Sequence, residues 1–138
     1  MNEKSAARTF IPSATRTRAV AAAAALVTVA AGLGVRSVAG GDFAKYAGSA
    51  LYTVLIHMLV VLVAPRVRPV TAAVAALAFS WTVELAQLTG VPEDLSRQST
   101  VARLVLGSTF NAPDLFWYAV GAGLAWAVHT AASARTRD

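Results

Sequence analysis

Four long apolar runs constrain the fold of this chain more than any other feature of its sequence. Each run holds at most one charged residue, and at about 1.5 Å of rise per residue a helix of this length nears or spans the roughly 30 Å hydrocarbon layer. Only 14% of the residues are charged, compared with about 25% in an average soluble domain. The pattern therefore predicts an all-α integral membrane bundle of four transmembrane helices. These helices are expected at about residues 19–39, 47–64, 70–89 and 114–132.

The remaining segments predict a simple organisation around a membrane domain at residues 19–133. Residues 1–18 are polar and basic and predict a cytoplasmic arm, and residues 134–138 predict a cytoplasmic tail. A long outer loop separates the third helix from the fourth, and loops of this length are usually functional or disordered. The start of the chain allows an alternative, because a basic segment, an apolar run and Ser37-Val38-Ala39 also fit a cleaved signal peptide.

The distribution of basic residues predicts the orientation, since cytoplasmic segments of membrane proteins carry an excess of Lys and Arg. With both ends in the cytoplasm, the inner segments hold Lys4, Arg8, Arg16, Arg18, Arg66, Arg68, Arg135 and Arg137. The outer segments then hold only Arg36, Lys45, Arg97 and Arg103. The excess of Ala and Arg is typical of high-GC bacterial genomes, so we expect a multi-pass protein of the bacterial inner membrane.

Charge and motif content argue against several classes of function. A net charge of +5 would suggest nucleic acid in a soluble protein, but here the basic residues flank apolar runs, where they contact lipid headgroups. The expected partner is therefore the lipid bilayer and not nucleic acid. The chain has no cysteine and only 2 histidines, far apart, so we expect no metal site. It also lacks a cofactor motif, a hydrolytic triad and a phosphate-binding loop, which argues against an enzyme.

Glu84 is the most informative residue, because a carboxylate within a membrane helix costs a few kcal/mol if left unpaired. It should face protein or water, and Ser80 and Gln87 lie on the same side of the helix. Other polar residues converge on the same outer half of the membrane and complete the expected binding site. The predicted site residues are Arg36, Asp42, Tyr52, Glu84, Gln87, Arg103, Asp114 and Tyr118, with Asn111 nearby.

Several of these residues also have a structural interpretation. Asp42 and Asp114 can act as acids at helix N-termini, where they interact favourably with the helix dipole. Arg36 can be a residue at a helix end that extends its charge to the membrane surface. Glu84 can form an ion pair with Arg36 or Arg103 that only holds the bundle together.

The histidines and glycines of the apolar runs are better explained by structural roles than by catalysis or ligand binding. His57 shares a helix face with Ser49 and Thr53, which favours a hydrogen bond between helices over a proton relay. His129 lies near a helix end and is expected to face headgroups. Gly121 and Gly123, with Ala119 and Ala125, favour close helix packing over phosphate binding.

An ordered set of motifs extends from the end of the first apolar run to the fourth. The set consists of Arg36, Gly41-Asp42, Leu51-Tyr52, Glu84-Leu-Ala-Gln87, Arg103-Leu-Val-Leu-Gly107-Ser-Thr-Phe110 and Asp114-Leu-Phe-Trp-Tyr118-Ala-Val-Gly121. Over about residues 30–125 it resembles a bacterial membrane family catalogued as domain of unknown function 2809. It is more distantly similar to the VanZ-like family, which is linked to teicoplanin resistance in some bacteria. The chain departs from the pattern of that second family in two places. Where that family has Asp-Lys-x-x-His, Gly41-Asp42-Phe43-Ala44-Lys45 keeps only the Asp, and Tyr118 stands where that family tends to have Asn.

The resemblance implies a four-helix membrane fold and an outward-facing polar cluster of Arg36, Asp42, Glu84, Gln87, Arg103 and Asp114. Our leading hypothesis is a non-enzymatic role at the outer leaflet, in which this cluster binds a polar headgroup, an envelope precursor or a partner protein. In this hypothesis the arginines bind an anion, Glu84 and Gln87 orient the site, and the aspartates position the arginines. The alternatives are an enzyme acting on a lipid-linked substrate with Glu84 as acid or base, an accessory subunit of a transporter, and a purely structural role. The apolar inner half of every run argues against transport by this chain alone, and a homo-oligomer is plausible.

Overall fold

The structure is a computed structural model that describes residues 13–107 and 109–136. Within these ranges the chain folds into α-helices joined by short connections and one 3-10 turn. The helices are α1 (Ser13–Val38), α2 (Gly41–Val63), α3 (Pro69–Ala86), α4 (Val91–Gln98), α5 (Thr100–Leu106) and α6 (Ala112–Arg135), and the 3-10 turn Gln87–Thr89 extends α3. Most of the expected basic arm and the last two residues of the expected tail lie outside the described residues.

Four of the helices are long and apolar enough to cross a membrane, namely α1, α2, α3 with its 3-10 turn, and α6. The predicted all-α bundle with four spanning helices is confirmed, and the protein is a multi-pass membrane protein. The helix ends differ from the expected bounds by a few residues. The first helix includes residues 13–18, ahead of the apolar run, because Ala and Arg extend a helix readily, and Arg18 donates a hydrogen bond from Nε to the Leu62 carbonyl oxygen at 3.1 Å.

The bundle has α2 at its centre. Helices α2, α3 and α6 all contact one another, and α1 packs on α2. The connections make neighbouring helices antiparallel, so α2 begins, α3 ends and α6 begins at the same end of the bundle, which we call the loop end. Large apolar side chains such as Leu26, Phe43 and Val128 point outwards, where hydrocarbon is the solvent that suits them.

Small residues form most of the contacts between the helices. Buried alanines such as Ala72 and Ala76 lie where α3 meets its neighbours, as is common in membrane bundles. Gly121 of α6 is buried against the backbone of α2, and a Cβ at this position would overlap the carbonyl oxygen of Ala50. The packing role predicted for Gly121 is confirmed, whereas Gly123 is exposed and has no neighbour within 4 Å.

The expected long loop contains two short helices, α4 and α5. Local signals explain them. Gly90 adopts φ 80° and opens α4, Pro92 lies in its first turn, and Ser99 caps α5 by accepting a hydrogen bond from the Ala102 backbone N–H. Gly107 ends α5 with φ 64°, a conformation that favours glycine. The segment therefore forms a helical cover at the loop end.

Candidate functional site

Glu84 lies near the end of α3, inside the bundle, and only 1% of its surface is exposed. Its Oε1 accepts a hydrogen bond from the backbone N–H of Asn111 at 2.7 Å, and its Oε2 accepts one from the Tyr118 hydroxyl at 2.7 Å. Among the described residues no Lys or Arg comes within 4.0 Å of this carboxyl group. The expected ion pair with Arg36 or Arg103 is therefore wrong, and hydrogen-bond donors from α6 and its N-cap take the place of the cation.

Side chains from α2, from the 3-10 turn that follows α3 and from α4 bind the end of α5. The Tyr52 hydroxyl donates to the Val105 carbonyl at 2.7 Å, and Gln87 donates from Nε2 to the Leu106 carbonyl at 2.6 Å. The Ser96 hydroxyl donates to the Gly107 carbonyl at 2.6 Å. Carbonyl groups in the last turn of a helix lack partners within the helix, so these three donors satisfy consecutive groups at the end of α5 and fix its position.

Asp114 and Tyr118 enter the same region from the first turns of α6. Asp114 is buried and accepts a hydrogen bond at Oδ1 from the Ser49 hydroxyl at 3.2 Å. The ring of Tyr118 lies 6.0 Å from that of Tyr52, centroid to centroid. Asp114 also stands in the first turn of its helix, so its structural interpretation and its place in the site are compatible.

The structure thus gathers part of the predicted site. The predicted residues that lie together at the loop end are Tyr52, Glu84, Gln87, Asp114 and Tyr118. We call these residues, with Asn111, the Glu84 site. Ser49 and Ser96 also take part in its hydrogen bonds. They were not among the predicted site residues, because isolated serines in an apolar chain carry no recognisable pattern.

Three charged residues predicted to belong to the site do not contact Glu84. Arg36 and Asp42 are exposed, and neither makes a hydrogen bond or ion pair within the part of the chain that the structure describes. Arg103 is exposed as well, and its Nη2 donates to the Ser96 carbonyl at 3.2 Å. The arginines therefore do not line the Glu84 site, and its chemistry is that of hydrogen bonding to uncharged groups.

Two buried polar atoms in the Glu84 site have no hydrogen-bond partner among the described residues. They are Gln87 Oε1, an acceptor, and Asn111 Nδ2, a donor. Asn111 is the N-cap residue of α6, but its side chain makes no capping hydrogen bond. Unpaired buried polar atoms cost about 1–3 kcal/mol each and call for an explanation such as a water or a ligand. The described residues hold no group of three side chains placed to bind a metal ion.

Comparison with known proteins identifies one family. The sequence model of the family described as "Protein of unknown function (DUF2809)" matches residues 39–122. The matched range includes α2 to α5 and the first part of α6, and therefore every residue of the Glu84 site. Arg36 lies outside it. Neither the curated proteins nor the solved structures give a match.

Proposed function

The chain belongs to this family of membrane proteins of unknown function, and we propose that it binds the polar headgroup of a lipid at the Glu84 site. The role is non-enzymatic: the site recognises and holds the headgroup. The four spanning helices place the site within reach of lipid from the side, and the cover formed by α4 and α5 closes it from the end of the bundle.

The observation that carries this proposal is the pair of unpaired atoms beside Glu84. Gln87 Oε1 requires a donor, and Asn111 Nδ2 requires an acceptor. A hydroxyl group offers both, so a hydroxylated headgroup such as glycerol or a sugar matches the free atoms of the site. A phosphate offers acceptors only, and no arginine lies in the site to neutralise it. The Glu84 site therefore favours the hydroxyl part of a headgroup.

Access to the site depends on α5. Hydrogen bonds from Tyr52 and Gln87 to its last two carbonyls hold it against the bundle, and its outer face exposes Val101, Leu104 and Val105. These apolar side chains suit contact with lipid at the membrane surface. Outward movement of α5 breaks the two bonds and admits the headgroup, whose hydroxyls then replace the carbonyls as partners of Tyr52 and Gln87.

The distribution of basic residues supports an outward-facing site in the bacterial inner membrane. Arg66 and Arg68 lie in the tight connection at the end of the bundle opposite to Glu84, and Arg16 and Arg18 lie in the first turns of α1. An excess of basic residues at that end is the mark of the cytoplasmic side. The headgroup bound at the loop end then belongs to the outer leaflet.

Lipid retention tests the proposal. The full-length protein is purified in mild detergent from bacterial membranes, and bound lipid is identified by native mass spectrometry. We expect a retained hydroxylated lipid that is lost in Glu84→Gln and Gln87→Leu. Glu93→Gln and Gln98→Leu are matched controls, because both residues are exposed on α4, and both should retain the lipid. Equal retention in all four variants, or no retained lipid in the unaltered protein, would overturn the proposal. Turnover of the lipid would favour the enzyme alternative.

A further inference from the structure

Polar side chains continue from the Glu84 site through the centre of the bundle. Ser80 lies one helical turn before Glu84 on α3, and Thr53 lies one turn before His57 on α2. Ser80, Thr53 and His57 are completely buried, each with 0% of its surface exposed. Together with Glu84 and His129 they form what we call the polar row. Alanine or valine would fill these positions at less cost in hydrocarbon, so the polar groups require a reason.

Two direct hydrogen bonds join helices along the polar row. Thr53 Oγ1 and Ser80 Oγ lie 2.8 Å apart and join α2 to α3. His57 Nε2 and His129 Nδ1 lie 3.0 Å apart and join α2 to α6. The row therefore passes from α3 to α2 and then to α6 as it crosses the bundle. The Ser80 hydroxyl donates to the Ala76 carbonyl oxygen at 2.9 Å, so Thr53 is the donor of the Thr53–Ser80 pair, and a proton that passes from Ser80 to Thr53 requires rotation of both hydroxyls.

The polar row is long on the scale of the membrane. Tyr118, which bonds to Glu84, and His129, which bonds to His57, both lie on α6. At about 1.5 Å per residue they are separated by about 16 Å along the helix, more than half of the roughly 30 Å hydrocarbon layer. Beyond His129 only the last turns of α6 remain before its end at Arg135.

His57 is the residue of the polar row whose ring can pass a proton from one neighbour to the next. Its Nδ1 is buried and has no hydrogen-bond partner among the described residues, while its Nε2 contacts His129. An imidazole ring can accept a proton at one nitrogen and release another from the second nitrogen. A buried histidine with one nitrogen bonded and the other open is the arrangement that such a transfer needs.

From this geometry we infer that the polar row conducts protons through the bundle, independently of headgroup binding. A proton delivered along the Thr53–Ser80 pair binds to His57 Nδ1, and the Nε2 proton passes to His129 Nδ1. His129 then releases a proton from Nε2, which leaves both rings protonated on Nδ1. Rotation of each ring turns its bare Nε2 toward the incoming proton, and a second proton that passes in the same direction returns both rings to their first tautomer, so charge and atoms balance over two transfers. The proposal requires a water molecule at each of the two one-turn gaps, between Glu84 and Ser80 and between Thr53 and His57. The titratable groups along the path are Tyr52, Glu84, Asp114 and Tyr118 at the loop end and His57 and His129 at the other.

The experiment uses the full-length protein reconstituted in vesicles of phosphatidylcholine and phosphatidylglycerol that enclose a pH-sensitive dye. A potassium gradient with valinomycin drives protons across the bilayer. We expect a flux well above that of vesicles without protein, and a protonophore sets the maximum. Thr53→Val removes the hydroxyl at the junction of α2 and α3 with almost no change of shape, so the flux should fall to that of empty vesicles.

Thr82→Val is the matched control. Thr82 lies on the exposed side of α3, and its hydroxyl bonds to the Ala78 carbonyl of its own helix, so the flux should be unchanged. His57→Phe should also abolish the flux, and if this variant fails to fold, the comparison of the two threonines still decides. Wild-type vesicles no more permeable than empty ones, or Thr53→Val with full flux, would overturn the inference. Retained lipid in Thr53→Val shows that headgroup binding is separate.

Discussion

The Tyr118 hydroxyl donates a hydrogen bond to Glu84 Oε2 at 2.7 Å and so joins α6 to α3 in the interior of the bundle. Tyr118 is itself buried, with 8% of its surface exposed. Without this bond one oxygen of the carboxyl group would remain buried and unpaired. The pair is therefore both a structural link between two spanning helices and the inner wall of the Glu84 site.

Tyr118→Phe should destabilise the protein, because it removes the donor and leaves Glu84 Oε2 unsatisfied. A buried polar atom without a partner costs about 1–3 kcal/mol, which should lower the midpoint of thermal unfolding in detergent, followed by circular dichroism. Tyr46→Phe is the control, since the Tyr46 hydroxyl makes no hydrogen bond among the described residues and its ring stacks on Trp117. Equal midpoints for the two variants would contradict the role assigned to the Tyr118 bond.

Gly121→Ala should separate α2 from α6. The added Cβ overlaps the carbonyl oxygen of Ala50, and backbone atoms cannot move aside cheaply. Forcing an extra carbon into a well-packed interior costs about 1–3 kcal/mol, again measurable as a lower midpoint of unfolding in detergent. Gly123→Ala should instead leave the protein as stable or make it more stable. The added Cβ meets nothing within 4 Å, and Ala stabilises a helix interior by about 1 kcal/mol relative to Gly. A Gly121→Ala variant as stable as Gly123→Ala would show that the two helices do not pack as described.

Gln87→Leu should loosen the cover at the loop end. The substitution removes the bond from Gln87 Nε2 to the Leu106 carbonyl, one of the three that hold the end of α5. Amide hydrogen exchange followed by mass spectrometry should become faster in α5, because local opening requires less free energy. Exchange in α6 should stay as it was, and Gln98→Leu, which alters an exposed side chain, should change neither helix. Slow exchange of α5 in the Gln87 variant would mean that the other contacts suffice.

The fold could be predicted because it depends on run length and hydropathy, which are properties of the chain alone. The sequence did not distinguish α4 and α5 from a loop, because helices of 8 and 7 residues are too short for helical periodicity to be decisive. Their local signals, Gly90, Pro92 and Ser99, were present in the sequence. The segment between α3 and α6 was interpreted as a loop because it is long and polar, although it contains these helix signals.

The site could be predicted only in part. Glu84 was found because a carboxylate in an apolar run is expensive, and the structure brings Gln87, Tyr52, Asp114 and Tyr118 to it. Tyr118 and Asn111 were expected near Glu84, but their bonds to it were not predicted, because the sequence suggested an arginine as its partner, whereas the fold supplies a tyrosine hydroxyl and a backbone N–H. The expected apolar inner half also proved incomplete. Single polar residues on three helices became the polar row only when the helices packed.

Cysteine labelling can test the orientation that places the Glu84 site on the side of the membrane away from the cytoplasm. It has no cysteine, so single cysteines introduced at exposed arginines report accessibility without background. Arg97→Cys lies on α4 at the loop end, and Arg66→Cys lies in the connection at the opposite end. In intact cells a membrane-impermeant maleimide should label the first variant and not the second, and permeabilised cells should show both labelled. Both residues are exposed, and labelling in the permeabilised cells corrects for the different reactivity of a thiol beside Glu93 and Asp94 and of one near Arg68. If Arg66→Cys alone were labelled in intact cells, the bundle would have the opposite orientation, and the proposed headgroup site would lie in the inner leaflet.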